Sequence, residues 1–368
     1  MAFSFTEEQE QFRDVLARFL RDKSPTTEIR KLMETDSGYD GDVWRQVCTD
    51  MGLAGIHLPE ESGGAGYGPV ELGIVMEEQG RALLCGPYLS SAVLAGLAIG
   101  AVASGEEQAA RLVGIADGSV VATLAVTENQ GLWHAADITT QAVPVDGGYQ
   151  LTGRKSFVSD GQNADIIYIV AENGAGLSLF AVDADADGLA VEGLEGVDAT
   201  RRIAHLTFTN CAAELVGAEG AFDLEAVFDQ VLIAFAHEQL GGAQAMLDSA
   251  LEYAKLRVQF GRVIGSFQAL KHRFADLHVE LELAKAAVYQ AAQALEDGDD
   301  VRAYASMAKA TASDIFLFAA KECIQFHGGI GFTWENDTHL WFKRAKSSEV
   351  FLGSPADHRE RMLQAMGV

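Results

Sequence analysis

The chain has 368 residues, with 53 acidic side chains against 27 Lys and Arg and a formal net charge of -26. That length exceeds what one hydrophobic core usually fills, so two or three domains are expected. The charge excludes functions built on attraction to nucleic-acid phosphates or anionic lipid. An anionic ligand would need a local basic patch, for which Arg201-Arg202 and the Lys343, Arg344, Lys346 cluster are the candidates.

The N-terminus is acidic within ten residues and has no basic start followed by an apolar stretch, so no export signal is read there. Thr6-Glu-Glu-Gln9 is a capping-box start, and Phe12, Val15, Leu16, Phe19 and Leu20 follow the spacing of an apolar helix face. Leu58 to Pro69 is rich in breakers and separates two helical segments. Ala82 to Gly105 is uncharged, but Pro87 and glycines interrupt it. Its longest apolar run, Ala92 to Ala103, falls short of the roughly 20 residues a bilayer requires, so a buried helix is expected and no membrane span.

From about residue 117 the pattern changes to short β-branched runs, Val120–Val126, Tyr149–Thr152, Ile166–Val170, Leu177–Val182 and Ile203–Phe208, punctuated by Gly, Asp and Asn. Asp146-Gly-Gly148 predicts a tight hairpin and Asp183 to Gly188 a more open turn. Long helical patterns return from about Phe222, broken at Glu296-Asp-Gly-Asp-Asp300. The expected fold is α+β, mainly α: an N-terminal helical domain over 1–116, a central β-barrel or sandwich over 117–221, and a C-terminal four-helix bundle over 222–368. Cys48, Cys85, Cys211 and Cys323 show no ligand spacing, which implies buried, reduced thiols in a cytoplasmic protein.

Two segments carry chemistry. Arg257, Gln259, Phe260 and Gly261, with Gln268 just beyond, precede Gln325-Phe-His-Gly-Gly-Ile-Gly-Phe332. A guanidinium fork can grip a diphosphate, and paired glycines admit a bulky ligand to the backbone. These segments, together with the helix, sheet, helix order, resemble the acyl-CoA dehydrogenase family over essentially the whole chain. The resemblance implies that Arg257, Gln259, Phe260, Gln268, Gln325, Gly328 and Gly329 reach the FAD of a neighbouring subunit. It implies a second face in the β domain. Val126 and Thr127 there match the family's flavin-side strand end, with Glu128 retained. Lys155-Ser-Phe-Val-Ser-Asp-Gly161 matches the second strand, placing Phe157 beside the ring and the Ser159 hydroxyl toward flavin N5. The Gly-rich Ser-Asp tail of the family is absent, and Trp133 stands where a small hydroxyl meets a diphosphate, covering the flavin or filling a pocket.

Desaturation of an acyl-CoA thioester needs a carboxylate to remove the α proton. By the resemblance, the two family positions for that base fall on Leu352 and Val231, and an Arg position on Leu232, all aliphatic here. Glu238, two turns and roughly 10 Å beyond Val231 along a helix, is the candidate relocated base or else a structural partner of a cation. Glu349 is a second carboxylate near Leu352. Departures cluster on the substrate side, whereas the half-site for a neighbour's FAD is nearly intact. Three readings follow: a base-less subunit of a homo- or heterotetramer, an active homomer using Glu238, or a non-catalytic acyl-CoA or FAD-binding protein. An electron-transfer flavoprotein is the acceptor the resemblance implies.

Overall fold

The structure is a computed structural model that describes residues 4–128 and 133–368. Residues 129–132, part of the segment matched to the family's flavin-side strand end, lie outside the described residues. In chain order the elements begin with α1 (Glu7–Lys23), α2 (Thr26–Leu32), α3 (Gly41–Arg45), α4 (Pro69–Ala82), α5 (Gly96–Val102) and α6 (Gly105–Asp117). The strands are β1 (Ala122–Ala125), β2 (Gln141–Val145), β3 (Gly148–Ser159), β4 (Ile166–Glu172), β5 (Leu177–Asp183), β6 (Leu189–Leu194) and β7 (Ile203–Val216). Then come α7 (Leu224–Leu256), the short pair β8 (Val258–Gln259) and β9 (Arg262–Val263), α8 (Gln268–Glu296), α9 (Arg302–His327), α10 (Thr338–Val350) and α11 (Pro355–Ala365).

Internal contacts divide the chain into two compact units, one of Lys31–Gly68 and Cys85–Val231, the other of Met1–Arg30, Pro69–Leu84 and Leu232–Val368. In the first unit the strands close on themselves. β4 pairs with β5, β5 with β7, β7 with β3, β3 with β2, and β2 returns to β4, while β1 runs parallel to β4 and β6 flanks β7. The barrel that was expected is thus present. Its core includes Leu151, Ile167, Ile169, Phe180, Leu206 and Phe208. The hairpin at Asp146-Gly147 forms as read, with Val145 opposite Gly148. β2 and β6 were not foreseen, because Pro144 and the mostly exposed Leu189–Leu194 lack an apolar alternation.

The apolar segment after Pro87 is a π-helix, Leu89–Ala95, running into α5, and every residue of that π-helix is buried. Among the described residues no helix is long and apolar enough to cross a membrane. Ser90 donates to Asp160 Oδ2 at 2.8 Å and Ser91 accepts the Ala122 N–H at 3.0 Å, fastening this helix to the barrel.

In the second unit α1 has the capping box, Thr6 accepting from the Gln9 N–H at 3.2 Å and Gln9 returning the bond at 2.9 Å. Its buried stripe is Leu16 and Leu20; Val15, read as part of that face, is exposed because one residue turns the helix by about 100°. Arg13 from α1 pairs with Glu77 at 2.9 Å and Glu78 at 3.3 Å on α4, and the Tyr289 hydroxyl donates to Glu77 from α8. α4 and α7 meet at backbone distance. A Cβ on Gly80 would lie 1.9 Å from the Glu238 carbonyl oxygen, and one on Gly241 would lie 1.7 Å from that of Glu77.

Candidate active site

The barrel presents one set of residues. Ser156 N–H donates to Thr127 O at 2.8 Å and the Thr127 hydroxyl donates back to Ser156 O, so the segment just after β1 and the C-terminal end of β3 are clipped together. The Thr127 hydroxyl is therefore spent within the chain. Lys155, with no exposed surface, donates to Glu128 Oε1 at 2.9 Å and to Val126 O at 3.0 Å. Glu128 also accepts the Thr140 N–H and hydroxyl at 2.9 and 2.7 Å, and the Thr139 N–H at 2.9 Å with its hydroxyl beside it. Burial works against that carboxylate, but the Lys155 ammonium and the threonine donors hold it down to about 2. Burial in turn pulls Lys155 down to about 8, opposed by Glu128.

Phe157 lies within the register irregularity between Lys155 and Val158, at φ +56°, a conformation costly for a non-glycine residue. Its ring packs on His205 at 5.4 Å and is 44% exposed. Ser159 is buried, and its hydroxyl has no hydrogen-bond partner among the described residues. Trp133 is buried and stacks on Phe228 of α7, centroids 5.3 Å apart, so it fills space within the barrel unit.

The helical unit presents the other set. Arg257, Gln259, Phe260, Gln268 and Gln325 are exposed, Phe260 to 91% and the nearby Phe332 to 88%. Gln268 Nε2 lies 2.9 Å from His272 Nε2, while no ion pair engages Arg257 among the described residues. Gly328 ends α9 at φ +64°, which only glycine adopts freely, and a Cβ on Gly328 or Gly329 would meet nothing within 4 Å. His327 is buried, stacked on Tyr253 at 4.2 Å, with its Nδ1 2.8 Å from Cys323 O.

Leu352 and Val231, the residues expected at the family's base positions, are both buried, as is Leu232. Leu352 stands at φ +65° in a turn held by its neighbours. His358 Nε2 donates to Leu352 O at 2.8 Å, and Lys309 Nζ donates to Gly353 O at 3.2 Å and Ser348 O at 3.1 Å. Burial pulls Lys309 down to about 7 and, helped by Lys309, His358 to about 4. Phe351 packs edge-on against Phe235 at 5.4 Å. Glu238 is buried and ion-paired with Arg344 at 2.9 Å. Glu349 pairs with Lys346.

The basic patches are corrected. Arg202 spends its guanidinium on the carbonyls of Leu32, Met33, Thr35, Asp36 and Ala199, closing the C-terminal end of α2. Arg344 is buried with Glu238, and Lys343 lies over the Trp334 ring at 4.9 Å. The guanidiniums of Arg202 and Arg344 are thus engaged within the chain. Lys309 escaped the sequence reading, although a lone Lys in the small-residue run Ala305–Ser313 marks a buried amine. The four cysteines are free and buried, as read.

Each set by itself suits part of a large phosphate-bearing cofactor: the barrel unit has a buried hydroxyl with no hydrogen-bond partner among the described residues, and the helical unit has an exposed guanidinium and an open glycine pair. Helices, barrel and helices carrying such edges define a class of flavoprotein. Models of the N-terminal, middle and C-terminal domains of acyl-CoA dehydrogenase match residues 6–119, 123–211 and 219–367. The chain belongs to the acyl-CoA dehydrogenase family of FAD-dependent oxidoreductases. It is 35% identical over 356 residues to acyl-CoA dehydrogenase IpdE2 of Mycobacterium tuberculosis, covering 97% of this chain and 96% of that one. A solved variant of the Tcur3481-Tcur3483 steroid ACAD is 31% identical, with a TM-score of 0.89 and coverage of 98% of both chains. The ChsE4-ChsE5 complex from Mycobacterium tuberculosis contains a chain 27% identical, with a TM-score of 0.91, covering 100% of this chain and 99% of that one.

Proposed function

We propose that this chain is the base-less subunit of an acyl-CoA dehydrogenase that desaturates an acyl-CoA thioester between Cα and Cβ. The observation that carries the reading is the contrast between the two faces. Leu352 and Val231 are aliphatic and buried, so neither can take a proton, while Arg257, Gln325, Gly328 and Gly329 stay open to a partner's cofactor.

FAD, when bound, accepts the hydride lost from Cβ. This chain's residues would hold and orient it. Arg257 neutralises diphosphate charge, Gly328 and Gly329 admit it to the backbone, and Gln259, Phe260, Gln268 and Gln325 line the approach. On the barrel, Val126 and Phe157 flank the ring and the Ser159 hydroxyl is the free donor for it. The missing carboxylate then comes from a second kind of subunit, in a heterotetramer whose electrons leave through an electron-transfer flavoprotein. The solved ChsE4-ChsE5 complex and the Tcur3481-Tcur3483 steroid ACAD support an assembly with a second kind of subunit, and the latter makes a steroid-derived acyl-CoA the first substrate to test.

The reading with Glu238 as base has less support, because its carboxylate is buried against Arg344. The decisive experiment is a flavin spectrum of the purified chain, alone and with whatever subunit co-purifies, followed by acyl-CoA titration. Flavin bleaching only in the complex is expected. Bleaching by the homomer that disappears in Glu238→Gln refutes the proposal.

A further inference from the structure

The strained residue on the barrel face is braced from behind by charge. Lys155 and Glu128 meet in the protein interior, two residues before Phe157 and one after Thr127. Glu128 takes hydrogen bonds from Lys155 and from both N–H groups and both hydroxyls of Thr139 and Thr140, a full set for one carboxylate. Lys155 additionally binds Val126 O. Three chain segments, 126–128, 139–140 and 155–157, are thereby tied to one ion pair. A buried pair so completely satisfied fixes geometry more than it adds stability, since well-packed neutral residues often replace such pairs without loss. The part of the barrel it fixes contains Phe157 at φ +56° with an exposed ring. Strain of that kind persists only where the surroundings impose it.

We propose that Lys155 and Glu128 are positioning residues for the flavin ring: the pair locks the ends of β1 and β3 together and holds Phe157 in its left-handed conformation at the cofactor edge. The inference rests on the reading that FAD lies along Val126, Thr127 and Phe157. Neither residue touches the cofactor. They act through Phe157 and Ser159, as supporting residues do behind a preorganised site.

The test uses the FAD-loaded oligomer as purified, with Lys155→Met/Glu128→Gln, Thr139→Val and Phe157→Ala. The double substitution removes both charges at similar volume, so cooperative melting near that of the parent is expected. With the fold intact, FAD dissociation should rise tenfold or more and the visible circular dichroism of the flavin should change shape, which a purely structural pair would leave alone. Thr139→Val removes one donor to Glu128 and should give a smaller shift of the same sign. Should the double variant fail to fold, Thr139→Val decides, and an unaltered flavin signal in that folded protein overturns the inference. If Phe157→Ala changes the flavin signal while a folded Lys155→Met/Glu128→Gln does not, the inference falls and the FAD reading stands. If Phe157→Ala also changes nothing, the flavin does not lie on this edge, and both fall together.

Discussion

Breaking the Glu238–Arg344 pair separates a structural glutamate from a catalytic one. The side chains are 8% and 4% exposed and their charged atoms are 2.9 Å apart. At an effective dielectric of about 20 two unit charges at that distance attract by roughly 6 kcal/mol, an upper figure before desolvation is counted. Removing one partner of such a pair typically costs about 3–5 kcal/mol, because the other is left buried and uncompensated. At roughly 2 °C per kcal/mol for a chain of this size, Arg344→Met and Glu238→Gln should each lower Tm by about 6–10 °C. The double variant should recover much of the loss, giving a coupling energy of about 2 kcal/mol or more in a thermal or denaturant double-mutant cycle. Flavin content of the folded variants should not change. Additive losses with no coupling would refute the structural reading, as would a Glu238→Gln protein of parental Tm that no longer bleaches its flavin.

Arg257→Ala should weaken FAD by roughly ten- to a hundredfold, the effect of about 1.5–3 kcal/mol for a charged hydrogen bond. Unchanged FAD retention through dialysis would make Arg257 an ordinary surface residue. Leu352→Glu returns a carboxylate to a turn whose backbone is already held by His358 and Lys309. It should yield flavin bleaching with an acyl-CoA that the unmodified chain leaves untouched, read by absorbance. Acid should unfold the helical unit through Glu77. Burial would raise this carboxyl, but His237 and Arg13 hold it down to about 2 against 4.5 in the unfolded chain. It therefore adds up to roughly 3 kcal/mol above pH 4.5, lost as pH falls toward 2, and Glu77→Gln should flatten that part of the stability profile.

The parts of the fold legible in the sequence were those set by local chemistry. The capping box at Thr6, the hairpin at Asp146 and the breaks around Glu296–Asp300 depend on neighbours a few residues away, and each forms as read. What escaped was long-range. Glu238 meets Arg344 across 106 residues, and no local pattern pairs them. Arg202, a candidate for an anion-binding patch, instead closes a helix end some 170 residues earlier. Phe260 and Gly328 sit exposed at the ends of their elements. The buried role of Lys155 was hidden because a strand of mixed character does not reveal which side chains point inward until the barrel closes.

The crossing of α4 and α7 has a consequence for how such a chain can diverge. Gly80 faces the backbone of Glu238 and Gly241 that of Glu77, with no room for a methyl group at either. The same few ångströms thus anchor the Arg13–Glu77–Tyr289 network and the residue that receives Arg344. A change at either glycine would be felt by both at once, whereas the turn at Leu352 is fastened through main-chain oxygens, which a change of side chain leaves in place. The crossing therefore constrains the chain more tightly than the fastening of that turn does.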